Sequence, residues 1–320
     1  MSEEMSYPAR ADYYEPISVH VVPRQTIAYR LPVLLFFLTV LTTLFWGAYW
    51  MVLYQTRGEA VDPLRFFRQV LASPELLWKG LGYSSAIMLI LLSHEMGHYL
   101  ACRYYQIRAT LPFFLPAPIV GTGTFGAFIR IRSPFPDRKA LFDVGLAGPI
   151  AGFVVALPFI YLGLHWSVVI PKSPNQVYLW DPLIFRLFAS HLTNQDYMLH
   201  PIGFAAWFAC LATSLNLLPI GQLDGGHVSY ALFRNKAYYI TWFFFGALFA
   251  LSIYGFTRST VAGFQWLFYC GLLLILRKIA GFRHPQTLND ENPIGLTRKV
   301  WGVIAAIVFA LTFMPVTIFS

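Results

Sequence analysis

Seven mostly apolar runs constrain this chain more than anything else in it: about 31–54, 81–104, 141–164, 202–220, 237–255, 261–276 and 300–319. A helix needs about 20 such residues to cross a bilayer. Composition agrees: 57% of the residues are hydrophobic and 12% are charged, where a soluble domain carries about 25% charged. The fold expected is an all-α polytopic membrane protein with about seven transmembrane helices. Residues 60–79 are amphipathic and read as interfacial, and 166–200 as a polar loop too short for an inserted domain.

Charge orients the runs. The net charge of +8 comes from short loops between apolar segments. No basic stripe interleaved with aromatics appears, so nucleic acid is not an expected partner. With the N-terminus inside, 16 of the 23 Lys and Arg residues fall in inner loops, the positive-inside bias of a chain with a cytoplasmic N-terminus. MSEEMSYPARADYYEP is polar and mixed in charge, so no cleaved signal peptide is expected. Cys102, Cys210 and Cys270 are odd in number and lie in or beside apolar runs, which is no disulfide framework. Cys102 falls one turn after His98 and reads either as a neighbour of a metal or, more readily, as a small buried residue.

One apolar run ends in unexpected polarity. GYSSAIMLILL leads into SHEMGH, residues 93–98. Ionisable groups at membrane depth are costly and mark function by default. His94, Glu95 and His98 form HExxH. Histidines at i and i+4 share one helix face and can grip one metal ion, and the glutamate can take a proton from a metal-activated water. Gly97 keeps that turn slim for a neighbouring segment.

Catalytic zinc normally has three protein ligands and one open position. SLNLLPIGQLDGGH, residues 214–227, offers a third. Pro219 and Gly221 break the apolar run, and Asp224 is expected on non-helical backbone near the depth of His94 and His98. His227 reads either as a neighbour of the site or as a plain surface residue. Residues 111–132 carry three prolines and three glycines, and GTFGAFIRI has strand character. Irregular backbone at membrane depth persists only inside protein or beside a wet cavity, so a small β-hairpin or re-entrant segment is expected near the site. Asp143 reads as structural, bonding backbone or pairing with Arg138 or Lys139. Gly148 and Pro149 suit close helix packing.

HEMGH together with NLLPIGQLDGGH resembles the site-2 protease family of intramembrane zinc metalloproteases, and GTFGAFIRIRSPFPDRKALFDVGLAGPIAG, 123–152, is similar to the stretch between its motifs. The resemblance covers roughly 80–230. It implies one zinc ion per chain held by His94, His98 and Asp224, with Glu95 as general base and Asn216 touching the substrate backbone. It implies an endopeptidase whose partners are membrane-spanning protein substrates and the bilayer. The family pattern NPxP reads NLLP here, with Leu217 in place of a proline. There is no room between the motifs for the PDZ domain that many bacterial members carry. The domains expected are a cytoplasmic tail (1–30), a first span with an interfacial segment (31–80), a catalytic membrane core (81–230) and additional C-terminal spans (231–320). The expected location is a bacterial cytoplasmic membrane. The rival class is a transporter or channel with an intramembrane polar path. It explains buried charge but not an HExxH followed by a matching aspartate.

Overall fold

A computed structural model of the protein describes residues 29–59, 61–170, 178–189, 196–258, 260–281, 286–315 and 318–319. The N-terminal tail, apart from its last two residues, lies outside the described residues, as do parts of the 166–200 loop. The helices are α1 (Arg30–Gln55), α2 (Pro63–Ala72), α3 (Leu81–Tyr104), α4 (Arg138–His165), α5 (Leu183–Phe188), α6 (Pro201–Asn216), α7 (Asp224–Phe233), α8 (Ala237–Arg258), α9 (Thr260–Ala280) and α10 (Leu296–Thr312). Among the described residues, four helical stretches are long and apolar enough to cross a membrane: Arg30–Gln55, Pro74–Tyr104, Arg138–His165 and Asp224–Arg258. Pro201–Asn216 and Thr260–Ile275 are apolar but shorter.

Helix α4 is the most buried of the four and packs between α3, α6 and α7. Glycines permit this. A Cβ on Gly97 of α3 would lie 2.4 Å from the Ala147 carbonyl oxygen, and one on Gly163 would lie 2.2 Å from Gly203 of α6. Small residues let backbones approach where lipid supplies no hydrophobic drive between helices. A buried hydroxyl pair, Thr43 and Ser84 at 2.7 Å, ties α1 to α3. Residues 61–79, expected to be interfacial, form α2, which turns Phe66 and Val70 inward, and most of a 3₁₀ turn over Pro74–Gly80.

The expected hairpin is present. Strands β1 (Phe113–Ala117) and β2 (Gly123–Phe128) pair antiparallel, with Phe113 opposite Phe128, Ala117 opposite Gly123, and a bulge between Phe114 and Pro116. Its tip is fastened to the bundle through its own carbonyls. Trp46 and Trp50 indoles donate to Pro118 (3.0 Å) and Gly121 (2.6 Å), Tyr83 to Thr122 (2.9 Å), and Thr42 to Gly123 (2.6 Å). The irregular backbone of the tip is thus satisfied by protein.

Two expectations need correction. The fourth run does not continue as helix to 220: α6 stops at Asn216, and 217–223 make tight turns held by the amides of Leu217, Leu218, Ile220 and Leu223. Pro219 has no amide hydrogen to continue the ladder. Asp224 is not on irregular backbone; it opens α7, just after those turns. Two glycines allow that, because a Cβ on Gly225 would lie 2.0 Å from the Leu217 oxygen and one on Gly226 2.2 Å from the Gly221 oxygen.

Candidate metal centre

Three ligand atoms from two distant parts of the chain converge. His94 and His98 lie one turn apart on α3, with Nε2 atoms 3.1 Å from each other. Asp224 Oδ2, from the first residue of α7, lies 3.2 Å from His94 Nε2 and 3.3 Å from His98 Nε2. Tetrahedral zinc with bonds of about 2.0–2.2 Å keeps neighbouring ligand atoms about 3.3–3.5 Å apart. The donor set therefore fits one zinc ion, and among the described residues these three form the one such cluster. Cys102 does not join it; that side chain is buried with Ile107, Ala140 and Val144.

Second contacts fix the rings. The Nδ1 of His98 lies 2.7 Å from the Val144 carbonyl oxygen. A carbonyl can only accept, so Nδ1 carries the hydrogen and a neutral ring turns the Nε2 lone pair toward the other ligands. Helix α4 reaches this close because it is bare there. A Cβ on Gly148 would sit 2.1 Å from His98 Nε2, and one on Gly152 3.1 Å from His94 Cβ. These α4 glycines are thus cut to the shape of the histidine face.

Glu95 is 5% exposed, and the main chain of Ile129, just past β2, hydrogen-bonds it. Asn216, the last residue of α6, brings its side-chain amide 3.5 Å from His94 Nε2. All five residues line a cavity of about 250 Å³, together with Ala127, Phe128 and Ile129 of the hairpin region, Val144, Gln222 and His227. His227 also packs on Phe135, ring centroids 5.9 Å apart, so it borders the site rather than the open surface. A larger cavity of about 510 Å³ lies beside Gly221, Gly226, Arg234 and Tyr239. It holds none of the converging ligands, and volume is a poorer guide than donor convergence.

Asp143 is structural, but its partner is neither Arg138 nor Lys139. Arg298 of α10 grips it at 2.9 and 2.6 Å. The Tyr105 hydroxyl donates to it at 2.5 Å. Burial, then the Asp143 carboxylate, push the Tyr105 phenol up to about 12, so it stays a donor. Sequence reasoning missed the Val144 carbonyl, the Ile129 main chain and Arg298.

Fold and site define a class: a helical membrane protein with two histidines and an aspartate clustered so that they could hold a metal ion, and a buried carboxylate beside them. A family model described as peptidase family M50 matches residues 82–253. The chain belongs to that family. It is 29% identical over 284 residues to "Probable zinc metalloprotease EGY1, chloroplastic" of Arabidopsis thaliana, covering 83% of this chain and 48% of the relative. It is 29% identical over 256 residues to "Probable zinc metalloprotease EGY2, chloroplastic" of the same plant, covering 75% and 43%. The EGY3 counterpart of Oryza sativa subsp. indica matches at 25% over 242 residues, covering 69% and 39%. The chain thus spans about half the length, or less, of these relatives. They give no support to the transporter alternative. Named as chloroplastic, they also give none to a bacterial cytoplasmic membrane; the apolar helices support the coarser placement, a membrane protein.

Proposed function

We propose that the chain is a zinc-dependent endopeptidase that cuts membrane-embedded protein substrates. The observation that carries this reading is the meeting of His94, His98 and Asp224 ligand atoms within 3.3 Å, with Glu95 in the same cavity. In this reading His94, His98 and Asp224 hold the metal, Glu95 is the general base, and the catalytic unit is 81–230. A tail and first span precede it, and further spans follow from 231. The seven-span reading adds the shorter apolar helices and α10 to the four long ones, with the N-terminus on the Lys- and Arg-rich side.

A zinc ion held there supplies Lewis acidity to the scissile carbonyl and lowers the pKa of water to about 7. The chain's residues do the rest. Glu95 takes the proton of the attacking water and can return it to the leaving amine. The Asn216 amide, on the same side as His94, holds the substrate backbone. A substrate helix hides its carbonyls in its own hydrogen bonds, so it must unwind to react. Strand β2 and residues 129–131 border the cavity and offer an edge on which an unwound segment adds by β-pairing.

The test needs no known substrate. Wild type, Glu95→Gln and Asp224→Ala are purified in detergent, and metal per chain is measured by mass spectrometry. About one zinc in wild type and Glu95→Gln, and its loss in Asp224→Ala, is the expected result. Zinc-free wild type, purified without chelator, would overturn the reading. Zinc retained by Asp224→Ala would show that the third ligand is another residue.

A further inference from the structure

Residues 286–298 take no part in the chemistry above, yet they bind the two helices that shape the metal centre. The amides of Leu288 and Asn289 donate to the carbonyls of Phe135 and Pro136, both at 3.0 Å. Buried Arg138 of α4 donates to the Ala231 carbonyl of α7 at 3.1 Å and to that of Asn292 at 2.8 Å. Where this segment becomes α10, Arg298 forks onto Asp143 of α4, Nε to Oδ1 at 2.9 Å and Nη2 to Oδ2 at 2.6 Å. The same Nη2 donates to the Tyr105 hydroxyl, just past the end of α3, at 3.1 Å. One group therefore ties α10, α4 and the α3 terminus.

The next residue after Asp143 is Val144, whose carbonyl accepts from His98 Nδ1. The bare face of α4 at Gly145 and Gly148 gives close approach, and around it Leu141, Phe142 and Leu146 cluster with Val228, Tyr230 and Ala231 of α7, and Ala140 and Val144 with Cys102 of α3. Apolar packing is non-directional and sets distance better than it sets fine sliding or rotation. A two-pronged arginine–carboxylate pair fixes both directions. The pair is partly exposed, 25% and 32%, so its stabilising energy is modest and its geometric effect is the larger one.

We infer that Arg298, acting through Asp143, is a positioning residue for His98, so that the last helix completes the metal centre. This rests on the zinc reading given above. Loss of a group that orients a ligand typically weakens metal binding 10–100-fold.

The test uses the full chain in detergent as wild type, Arg298→Gln, Arg298→Lys, Asp143→Asn and Arg234→Gln. Zinc affinity is read by competition with a chelating indicator, ligand geometry by the visible spectrum of the cobalt-substituted protein, and stability by thermal unfolding. Arg298→Gln and Asp143→Asn are expected to weaken zinc binding about tenfold or more and to shift the cobalt bands. Arg298→Lys is expected to recover part of the loss. Arg234→Gln breaks the Arg234–Glu291 pair of the same segment and is expected to match wild type. A wild-type affinity and cobalt spectrum in Arg298→Gln would overturn the inference, even with a lowered melting temperature. If Arg298→Gln does not fold, the isosteric Asp143→Asn decides by the same readout. Zinc-free wild type overturns the metal reading itself; zinc-loaded wild type with an unaltered variant overturns this inference alone.

Discussion

At Gly148 the proposed metal centre has no room for one methyl group. A Cβ there would lie 2.1 Å from His98 Nε2, on top of the proposed ligand atom, and His98 cannot swing aside without giving up its 2.7 Å bond to the Val144 oxygen. Gly148→Ala is therefore expected to abolish most zinc retention and to destabilise the protein by about 1–3 kcal/mol, the usual overpacking cost. Gly246→Ala on α8, where nothing stands within 4 Å, is the control: zinc stays, and helix propensity favours the change. Zinc per chain and melting temperature, measured together, decide; full zinc in Gly148→Ala would mean that α4 moves freely there. This scale also marks what a sequence can reveal. The meeting of His94, His98 and Asp224, with Glu95 in the same cavity, was legible because the polar groups are in the side chains and the HExxH spacing matches the helical repeat. The Val144 carbonyl and the Ile129 main chain were not, because every residue has a backbone and nothing in its letter says where it points. Arg298 was visible only as one more positive charge, since its partner lies 155 residues away.

The hairpin is the element on which the substrate hypothesis depends. Gly123 and Gly126 have φ of +73° and +102°, which proline, fixed near −65°, cannot adopt. Their amides also have partners, Val120 oxygen at 2.8 Å and Thr124 Oγ1 at 3.0 Å, and proline would remove both donors. None of the proposed metal ligands is on β1 or β2. Gly123→Pro and Gly126→Pro are thus expected to keep about one zinc per chain and to lose cleavage of a single-span test protein in proteoliposomes by 100-fold or more, an order of magnitude set by how steeply rate depends on near-attack geometry. Zinc-loaded variants that cleave normally would sink the strand-edge proposal. The proline and glycine pattern with aromatic and β-branched neighbours announced this hairpin, but not its bulge or its anchoring by Trp46, Trp50, Tyr83 and Thr42. Those contacts join segments about 40–80 residues apart. At 217–223 Pro219 and Gly221 announced the break, but not that the helix already ends at Asn216, because Leu217 and Leu218 look like more helix. There the turns are imposed by Pro219 and by α7 glycines that lie against the same backbone.

At the scale of the molecule, the arrangement of the two ends fixes the topology to be tested. One end gathers the C-terminus of α1 and the start of α3, through Lys79 and Gln55 at 2.9 Å, and the end of α4, through the Tyr54–Trp166 hydrogen bond. The other gathers Tyr105, Asp143, Arg298 and the segment before α10. Apolar length made the four helical stretches long enough to cross a membrane legible, but the fourth run is hard to recognise as a span. Helix α6 has 16 residues, about 24 Å at 1.5 Å per residue, short of a hydrocarbon core of about 30 Å. It crosses only if 217–223 and α7 complete it, and that break is what brings Asp224 to the histidines. The crossing is testable with single cysteines. The native Cys102, Cys210 and Cys270 are buried, so background labelling by a membrane-impermeant thiol reagent is low. Glu59, after α1, and Glu291, before α10, are exposed. With the N-terminus inside, Glu59→Cys is expected to label from outside in sealed vesicles, and Glu291→Cys only after permeabilisation. Six crossings separate the N-terminus from Glu291 when the interrupted fourth segment spans, and five when it does not. Labelling of both positions from the outside would therefore remove that crossing. Asp224 would then have to reach His94 and His98 from the far side of the membrane, which the 3.2 and 3.3 Å separations do not allow.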